Sequence, residues 1–276
     1  MRTLTAIGTA ALLSLAAAAA AGPAEDREAF RNYFAERFPS VSADDYVNGV
    51  YALDPESRAQ WEAIEDFPAY ELNIDAGKAL FEKPFANGSS YADCFPNGGV
   101  GVRQNYPYFD TDRGEVVTLE LAINECREKN GEKPLKYKRG SIADISAYMA
   151  YTSRGKVIDV EIPDDPRALE WYERGKRHFY AKRGQLNMAC ADCHVYNPGN
   201  KVRADLLSPA LGQVSHFPVY RSKWGGLGTL HRRYAGCNEQ VRAKPFKPQS
   251  EEYRALEFFH TYMSNELALN GPGTRK

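Results

Sequence analysis

Five consecutive residues, Cys-Ala-Asp-Cys-His at positions 190–194, have types and a spacing that could do chemistry. The spacing Cys-x-x-Cys-His attaches c-type haem: the thiols of Cys190 and Cys193 add to the haem vinyl groups, and His194 binds the iron from one side. A disulfide-exchange motif needs no adjacent histidine, and a zinc site would need a second pair of ligands, for which only Cys237 and scattered histidines remain. We therefore expect covalently bound haem c.

A degenerate copy of this motif, Tyr-Ala-Asp-Cys-Phe, stands about a hundred residues earlier at positions 91–95. Alignment of the two copies places Tyr91 opposite Cys190 and Phe95 opposite His194. The first copy therefore lacks one thioether anchor and the iron ligand, and we expect it to bind no haem. The aromatic replacements should fill part of the vacated space, because a void would be costly.

The residue that binds the iron from the other side does not follow from the motif. The candidates with a suitable sulfur or nitrogen atom are Met188, Met263, His178, His216, His231, His260 and Cys237. Of these, His216, His231 and Cys237 are expected in loops between the motif and the last helix, the usual source of a distal ligand. The residue types alone leave the choice open.

Similarity between the two copies extends in both directions along the chain. The stretch Gly77–Phe81 parallels Gly175–Phe179, each with the pattern Gly-x-x-x-Phe, and Ala147–Met149 parallels Thr261–Met263. This pairing of a leading helix, a cysteine motif and a terminal helix resembles the cytochrome c fold. In that fold the first and last helices cross, and a small residue at the contact lets the backbones approach.

Helical signals occur where that fold requires them. Ser141 is a plausible N-cap before an apolar stripe, Ser250 opens a similar segment, and an amphipathic segment covers residues 165–180. We predict a mainly α protein with little strand, built as two cytochrome c-like domains in tandem. Residues 23–160 would form a haem-less domain, and residues 161–276 would form the haem-binding domain.

The amino terminus predicts export. A basic start, an alanine-rich apolar stretch and Gly22-Pro23 before charged residues are typical of a signal peptide over residues 1–22. No later apolar run reaches membrane length, so we expect no membrane span in the mature chain. The expected location is the oxidising periplasm, where disulfides persist.

The distribution of charge along the chain indicates more about possible partners than the net charge does. The formal net charge is −1, and −2 once Arg2 leaves with the signal peptide, so nucleic acid is not an expected partner. Between positions 221 and 247, seven basic residues and one acidic residue surround Cys237. This excess could attract an anion, although an ordinary solvated surface is an equally good interpretation.

Taken together, these residues resemble the SoxA family, the L-cysteine S-thiosulfotransferase subunit of the periplasmic sulfur-oxidising complex. The resemblance rests on the two cytochrome-like repeats, on the Cys-Ala-Asp-Cys-His motif, and on Arg233-Tyr-Ala-Gly-Cys237, which ordinary c-type cytochromes lack. It covers nearly the whole mature chain. Because Tyr91 and Phe95 replace haem-site residues, the chain resembles the single-haem branch of the family.

The resemblance implies a role for each matching residue. One haem c would be bound to Cys190 and Cys193, with His194 and Cys237 as axial ligands of the iron. Cys237 would also be the catalytic residue, carried as a persulfide during turnover, and Arg233 would hold the anionic substrate. The implied reaction joins thiosulfate to a cysteine of the SoxYZ carrier protein, and two electrons leave through SoxX, a c-type cytochrome subunit that forms a heterodimer with the chain.

Comparison of the two copies predicts the state of the remaining two cysteines. Cys94 belongs to the degenerate motif, and the place of Cys126 before a terminal helix parallels that of Cys237. In the periplasm we expect a disulfide between Cys94 and Cys126, which leaves Cys237 as the one free thiol.

Two other functions remain as alternatives. The chain could be a periplasmic electron-transfer cytochrome whose sixth ligand is Met263 or His216, with Cys237 incidental. It could also be a scaffold for a partner cytochrome, in which haem only holds the fold.

Overall fold

The computed structural model describes residues 22–275, so the predicted signal peptide lies outside the described residues except for Gly22. The described chain is mainly helical. Its α-helices are α1 (Pro23–Arg37), α2 (Pro55–Glu65), α3 (Glu71–Glu82), α4 (Leu119–Lys129), α5 (Ser141–Tyr151), α6 (Pro166–Tyr180), α7 (Cys190–His194), α8 (Leu230–Gln240) and α9 (Glu251–Tyr262). None of the helices within residues 22–275 is long and apolar enough to cross a membrane.

The strands are short. They are β1 (Tyr108–Asp110), β2 (Glu115–Val117), β3 (Lys201–Val202), β4 (Asp205–Leu206), β5 (Val219–Arg221), β6 (Gly226–Gly228) and β7 (Gly273–Arg275). Strands β1 and β2 form one antiparallel pair, and β3 and β4 form another. The third sheet has the order β6-β5-β7, in which β5 is antiparallel to β6 and parallel to β7.

Helices α6 and α9 cross at Gly175. Helix α6 begins after Asp165, whose carboxylate accepts a hydrogen bond from the backbone nitrogen of Arg167, and Pro166 takes the first helical position. A Cβ atom on Gly175 would lie 2.1 Å from the backbone oxygen of Ala255, far inside van der Waals contact. A residue with a side chain therefore cannot fit unless the two helices separate.

Helices α3 and α5 cross in the same way at Gly77. A Cβ atom on Gly77 would lie 1.9 Å from the backbone oxygen of Asp144. The sequence predicted a small residue at both crossings. It placed the start of α5 one residue late, because the N-cap is Gly140 and Ser141 is already the first helical residue. Gly140 has a φ of 74°, a conformation that favours glycine.

Each crossing pair of helices has its own hydrophobic core. The first core contains Phe81, Leu119 and Ile145, and the second contains Tyr172 and Phe259, among other buried residues. Helix α1 packs into the second core through Phe30 and Phe34. The domain boundary at residue 160 stays a prediction. Helix α1 precedes this boundary in sequence, yet its apolar side chains pack with residues that follow it.

The two halves of the chain also repeat an order of elements that the sequence did not reveal. A β-hairpin precedes a helix in both, β1-β2-α4 in the first half and β5-β6-α8 in the second. A threonine, Thr118 or Thr229, is the N-cap of each helix. Cys126 and Cys237 then occupy equivalent positions, each seven residues after the first residue of its helix (119 to 126 and 230 to 237).

Helix α8 corrects one expectation, because His231 and Cys237 were expected in loops and both lie in this helix. Gly236 weakens the local helical signal. The helix forms because Leu230, Tyr234 and Ala235, spaced along one face, are buried against the second core. Tertiary packing therefore outweighs the low helix propensity of the glycine.

Aromatic side chains fill the interior beside the degenerate motif. Tyr91 is 1% exposed, and its ring lies 4.8 Å from that of Phe85 and 5.5 Å from that of Phe81, between ring centroids. Its hydroxyl accepts a hydrogen bond from Arg127 at 2.8 Å. Phe95 is also buried. In the alignment of the two copies, these two residues stand where the second copy has Cys190 and His194.

A disulfide joins Cys94, next to Phe95, to Cys126 on α4, with 32 residues of sequence separation. It ties the degenerate motif to the helix that corresponds to α8 in the second half. Cys190, Cys193 and Cys237 are free thiols in the described chain. The disulfide lies in the half that carries the incomplete motif, and the free thiols lie in the other half.

Replacement of Gly175 by alanine should destabilise the protein. The added Cβ would overlap the backbone of Ala255, and overpacking of this kind costs about 1–3 kcal/mol or more. We expect Gly175→Ala to lower the midpoint of thermal unfolding clearly. Gly236→Ala is the control, because a Cβ on this helical glycine meets no atom within 4 Å and alanine suits a helix better than glycine. Equal midpoints for the two variants would contradict the crossing described above.

Removal of the disulfide should lower the free energy of unfolding. For a closed loop with 32 residues of separation, the chain-entropy model gives roughly 3–4 kcal/mol. We expect this loss in the double variant Cys94→Ser/Cys126→Ser, measured by urea unfolding of the oxidised protein. The wild-type protein treated with reductant should approach the variant. A variant as stable as the wild type would show that the crosslink does not constrain the unfolded chain.

Candidate functional site

Helix α7 is one and a half turns long and carries Cys190, Cys193 and His194. Asp192, between the two cysteines, fixes its start, because its carboxylate accepts a hydrogen bond from the backbone nitrogen of Ala189 at 2.6 Å. Lys182 forms an ion pair with the same carboxylate at 3.0 Å. The motif thus contains its own helix cap, a role for Asp192 that the sequence analysis did not assign.

The imidazole of His194 is oriented by the backbone. Its Nδ1 donates a hydrogen bond to the carbonyl oxygen of Ser208 at 2.8 Å, which leaves Nε2 without a proton when the ring is neutral. Gln213 steadies this loop by donating to the hydroxyl of Ser208 at 2.8 Å. An unprotonated Nε2 is the atom that can bind a metal, and a hydrogen bond at the other nitrogen is the usual way in which a histidine ligand is oriented.

A cavity open to solvent adjoins α7, and its empty space together with the solvent at its mouth is about 880 Å³. The reactive side chains in its wall are those of Cys190, Cys193, His194, Arg233 and Cys237. Most of the remaining wall is apolar or aromatic, and includes Phe179, Leu207, Phe217, Leu230, Tyr234, Val241 and Leu256. Two thiols, an imidazole and apolar walls fit haem c, which Cys190 and Cys193 would hold covalently and whose iron His194 would bind.

Cys237 faces this cavity from α8, one helical turn after Arg233. Burial alone would raise the pKa of the Cys237 thiol, but the charge of Arg233, the neighbouring imidazole of His194 and the charge of Arg221 together lower this pKa to about 7. At neutral pH a large fraction of Cys237 is therefore thiolate, the form that attacks sulfur and binds metals. By contrast, burial raises the pKa of Cys190 to about 12.

The candidates for the sixth iron ligand differ in whether they line the cavity. Besides Cys237, only Met188 and His260 among those candidates line it within the described residues. Both ring nitrogens of His260 are engaged, Nδ1 with the hydroxyl of Tyr234 at 3.1 Å and Nε2 with the carbonyl oxygen of Ala210 at 3.2 Å.

The other candidates have partners elsewhere. His231 pairs with the buried carboxylate of Glu257 at 3.1 Å, and Arg183 lies 3.0 Å from the ring of His178. Met263 packs in the second core near the hydroxyl of Tyr172. His216 is buried, and its ring stacks on that of the neighbouring Phe217 at 4.9 Å. A sixth ligand from Met263 or His216, as in the electron-transfer alternative, has no support in this geometry.

The basic region divides into two parts. Arg221 and Arg233 act on the Cys237 thiol. Arg232 instead lies over the ring of Trp224 at 4.2 Å and donates to the carbonyl oxygen of Leu227. Of the seven basic residues, two therefore lower the pKa of Cys237, and Arg232 has its partners elsewhere. The effect of Arg221 on Cys237 has no counterpart in a sequence motif, because the two residues are distant in sequence and lie on different elements.

The attachment sequence on α7, the apolar cavity and the crossing helices define a c-type cytochrome. A family model described as SoxA/TsdA, cytochrome c domain, matches residues 76–158. Curated relatives share much more of the chain. The L-cysteine S-thiosulfotransferase subunit SoxA of Allochromatium vinosum is 58% identical over 96% of this chain and 95% of its own. That of Chlorobaculum tepidum is 60% identical over 91% of this chain and 87% of its own.

A solved structure agrees with these relatives. A chain in the crystal structure of SoxXA from P. pantotrophus is similar with a TM-score of 0.72 and 32% sequence identity, and the match covers 79% of this chain and 84% of that chain. The chain belongs to the SoxA family of L-cysteine S-thiosulfotransferase subunits.

Covalent attachment of haem can be tested on the protein matured by export. The mass of the intact wild-type chain should exceed that of its polypeptide by one haem. Cys190→Ala/Cys193→Ala should lose this increment, because both thioether bonds are removed. The control, Cys94→Ser/Cys126→Ser, removes two cysteines from the other half and should retain it. A second haem increment in the wild type, or haem retained by Cys190→Ala/Cys193→Ala, would contradict the assignment.

Proposed function

We propose that the chain is the haem-containing subunit of an enzyme that oxidatively couples thiosulfate to a cysteine of a SoxYZ carrier protein. The observation that carries the proposal is the Cys237 thiol. It lines the proposed haem cavity, and Arg233, His194 and Arg221 lower its pKa to about 7 despite burial. A plain electron-transfer cytochrome has no need of a reactive thiol at this position.

The reaction balances with two electrons. A carrier thiolate (charge −1) and thiosulfate (charge −2) form one sulfur–sulfur bond and give a cysteine S-thiosulfonate of charge −1. Two electrons are released, and they require an acceptor outside this chain. The proposed acceptor is SoxX, a c-type cytochrome subunit in a heterodimer with the chain; the related solved structure is of a SoxXA complex.

The proposed cofactor is one haem c, which when bound supplies a redox-active iron. Cys190 and Cys193 would hold it covalently, and the imidazole of His194 and the thiolate of Cys237 would bind its iron. The chain's own residues set up the rest of the site. Ser208 orients His194, apolar walls exclude water, and the arginines keep Cys237 ionised. Arg233 would hold a sulfonate group beside the thiol, since a guanidinium is permanently charged and matches an oxyanion with paired donors.

The proposed architecture is two cytochrome c-like domains in tandem, of which the first has no haem. Support comes from the two glycine crossings, from the repeated hairpin–helix order, and from the match of the cytochrome c family model to residues 76–158. Tyr91 and Phe95 occupy the place of haem-binding residues, and Cys94 and Cys126 are joined to each other. In this proposal the disulfide and the aromatic side chains replace the stabilisation that haem gives to the second half.

We propose the periplasm as the location. The predicted signal peptide points to export, and the disulfide requires an oxidising compartment. Attachment of haem to Cys190 and Cys193 after export is consistent with both.

Replacement of Cys237 by serine tests the proposed function. The chain would be matured with its cytochrome partner, and thiosulfate-dependent modification of the carrier cysteine would be followed by mass spectrometry. We expect Cys237→Ser to keep its covalent haem and to lose activity by at least about a hundredfold, because a serine hydroxyl is a far weaker nucleophile and ligand than a thiolate. Its low-spin haem spectrum should also change.

The matched control is Cys94→Ser/Cys126→Ser, which removes sulfur from the equivalent helix of the first half and should keep most of the activity at temperatures where it is folded. Full activity in Cys237→Ser would exclude Cys237 as the catalytic residue. An unchanged haem spectrum in that variant would instead favour a methionine or histidine ligand.

A further inference from the structure

Polar side chains of helix α8, which carries Cys237, pair with polar side chains of α9 in the buried interface between the two helices. On α8 these residues are His231, Tyr234 and Asn238, and their spacing of three or four residues puts them on one face of the helix. The pairs are His231 with Glu257 at 3.1 Å, Tyr234 with His260 at 3.1 Å, and Asn238 with Tyr253 at 2.8 Å.

The contact between Tyr234 and His260 continues beyond α9. Nε2 of His260 lies 3.2 Å from the carbonyl oxygen of Ala210. A carbonyl oxygen only accepts hydrogen bonds, so Nε2 donates, and Nδ1 of the neutral ring accepts from the hydroxyl of Tyr234. His260 is buried, and the ring centroids of Phe179 and Tyr234 lie 5.6 and 6.2 Å from its own. The surrounding rings therefore hold the imidazole in this orientation.

The loop that contains Ala210 also holds His194. The backbone nitrogen of Ala210 donates to the carbonyl oxygen of His194 at 2.8 Å. Nδ1 of His194 donates to the carbonyl oxygen of Ser208, also at 2.8 Å. A series of hydrogen bonds through His260 and Ala210 therefore joins α8 to His194.

The two ends of this series carry the side chains proposed to bind the iron. Cys237 follows Tyr234 by three residues on α8, and His194 lies on α7. Both side chains line the cavity, and so do Tyr234 and His260. Two ligands on separate helices bind one metal atom well only if their separation is held to within about 0.5 Å. The series connects the two helices whose separation matters.

The first half of the chain shows what the equivalent helices contain where the attachment motif is incomplete. Helices α4 and α8 correspond through Cys126 and Cys237, and the same offset places Ile123 opposite Tyr234 (126 to 237 and 123 to 234). Ile123 is buried and has no polar atom in its side chain. The hydroxyl that begins the series is therefore missing from the first half.

The histidine is missing from the first half as well. The match of residues 147–149 to residues 261–263 places Ser146 opposite His260. The hydroxyl of Ser146 donates to the carboxylate of Glu120 on α4 at 2.8 Å. Helices α3 and α5 nevertheless cross as closely as α6 and α9 do. The contact between tyrosine and histidine is thus not needed for the crossing of the helices, which favours a role at the cavity.

We propose that His260 is a positioning residue that holds α8 at the distance from His194 at which Cys237 can bind the same iron. The inference rests on the proposed function, in which Cys237 is an iron ligand, and adds the residues that maintain this bond. Loss of the series should leave the haem attached, because both thioether anchors are on α7. Helix α8 could then move relative to α7, and a ligand from solution would replace Cys237 more readily.

The test measures how readily imidazole replaces Cys237 at the iron of the full mature chain with its haem. Absorption titration gives the dissociation constant of imidazole, and electron paramagnetic resonance of the ferric protein reports the axial ligands. Tyr234→Phe removes one hydroxyl group, and His260→Leu removes both ring nitrogens. His260→Gln keeps a donor for Ala210. Cys237→Ser is the reference that lacks the thiolate.

Tyr172→Phe is the matched control. Tyr172 is buried in the same core, and its hydroxyl donates to the carboxylate of Asp26 at 2.8 Å. The change removes a tyrosine hydrogen bond that involves neither α8 nor the loop at Ala210. The midpoint of thermal unfolding is measured for every variant, which separates a general loss of stability from a change at the iron.

We expect Tyr234→Phe to bind imidazole about tenfold more tightly than the wild type, as for loss of one buried hydrogen bond. His260→Leu should show a larger change than Tyr234→Phe, and His260→Gln should recover part of the wild-type behaviour. Both Tyr234→Phe and His260→Leu should show a second ferric species in the resonance spectrum. Tyr172→Phe should match the wild type in both measurements. A merely structural role would lower the unfolding midpoint and leave the affinity for imidazole unchanged.

The inference is overturned if Tyr234→Phe and His260→Leu bind imidazole as weakly as Tyr172→Phe does. If His260→Leu does not fold, Tyr234→Phe decides alone. If Cys237→Ser binds imidazole no more tightly than the wild type, Cys237 is not an iron ligand and the inference falls with that assignment. The proposed function fails separately if Cys237 binds the iron but the complex transfers no thiosulfate to the carrier, and the imidazole titration then still decides the role of His260.

Discussion

A buried thiolate costs free energy unless positive charge lies close to it, and the site depends on how that cost is met at Cys237. Arg233 provides the largest compensation, and a spacing of four residues on α8 places it on the same face of the helix as Cys237. The geometry of α8 therefore governs the reactivity of the thiol. The buried face of α8, with Leu230, Tyr234 and Ala235, anchors the helix so that this charge remains where it is needed.

The close crossing of α6 and α9 also helps to position the residues of the site. Because Gly175 has no side chain, the two helices approach closely enough for their aromatic residues to form one core, to which α1 adds Phe30 and Phe34. Helix α7 packs on α6, so the attachment cysteines are positioned by the same crossing. The first half of the chain repeats the crossing at Gly77, but the cavity beside its degenerate motif is lined by Phe95, Tyr106 and the Cys94–Cys126 disulfide rather than by free thiols and a histidine.

Features that depend on residue type and spacing could be predicted from the sequence. The attachment motif, its degenerate copy and the two crossing glycines are of this kind, since each requires a particular residue at a particular interval. The disulfide pair was also expected, from the relation between the two copies and from a family resemblance. The helical state of Cys237 was not, because Gly236 weakens the local signal and burial of Leu230, Tyr234 and Ala235 decides the conformation. Ser208 acts through its backbone carbonyl, so its residue type gives no signal in the sequence. The effect of Arg221 on the pKa of Cys237 joins two elements that are distant in sequence, and no motif contains both residues.

The central proposal is that the thiolate of Cys237 and the imidazole of His194 would both bind the iron of the haem. X-ray absorption at the iron edge of the mature, haem-loaded protein tests this most directly, because sulfur and nitrogen ligands scatter differently. We expect one sulfur atom bound to iron in the wild type and none in Cys237→Ser. A wild-type iron with nitrogen ligands only, or a sulfur ligand that persists after the replacement of Cys237, would contradict the claim.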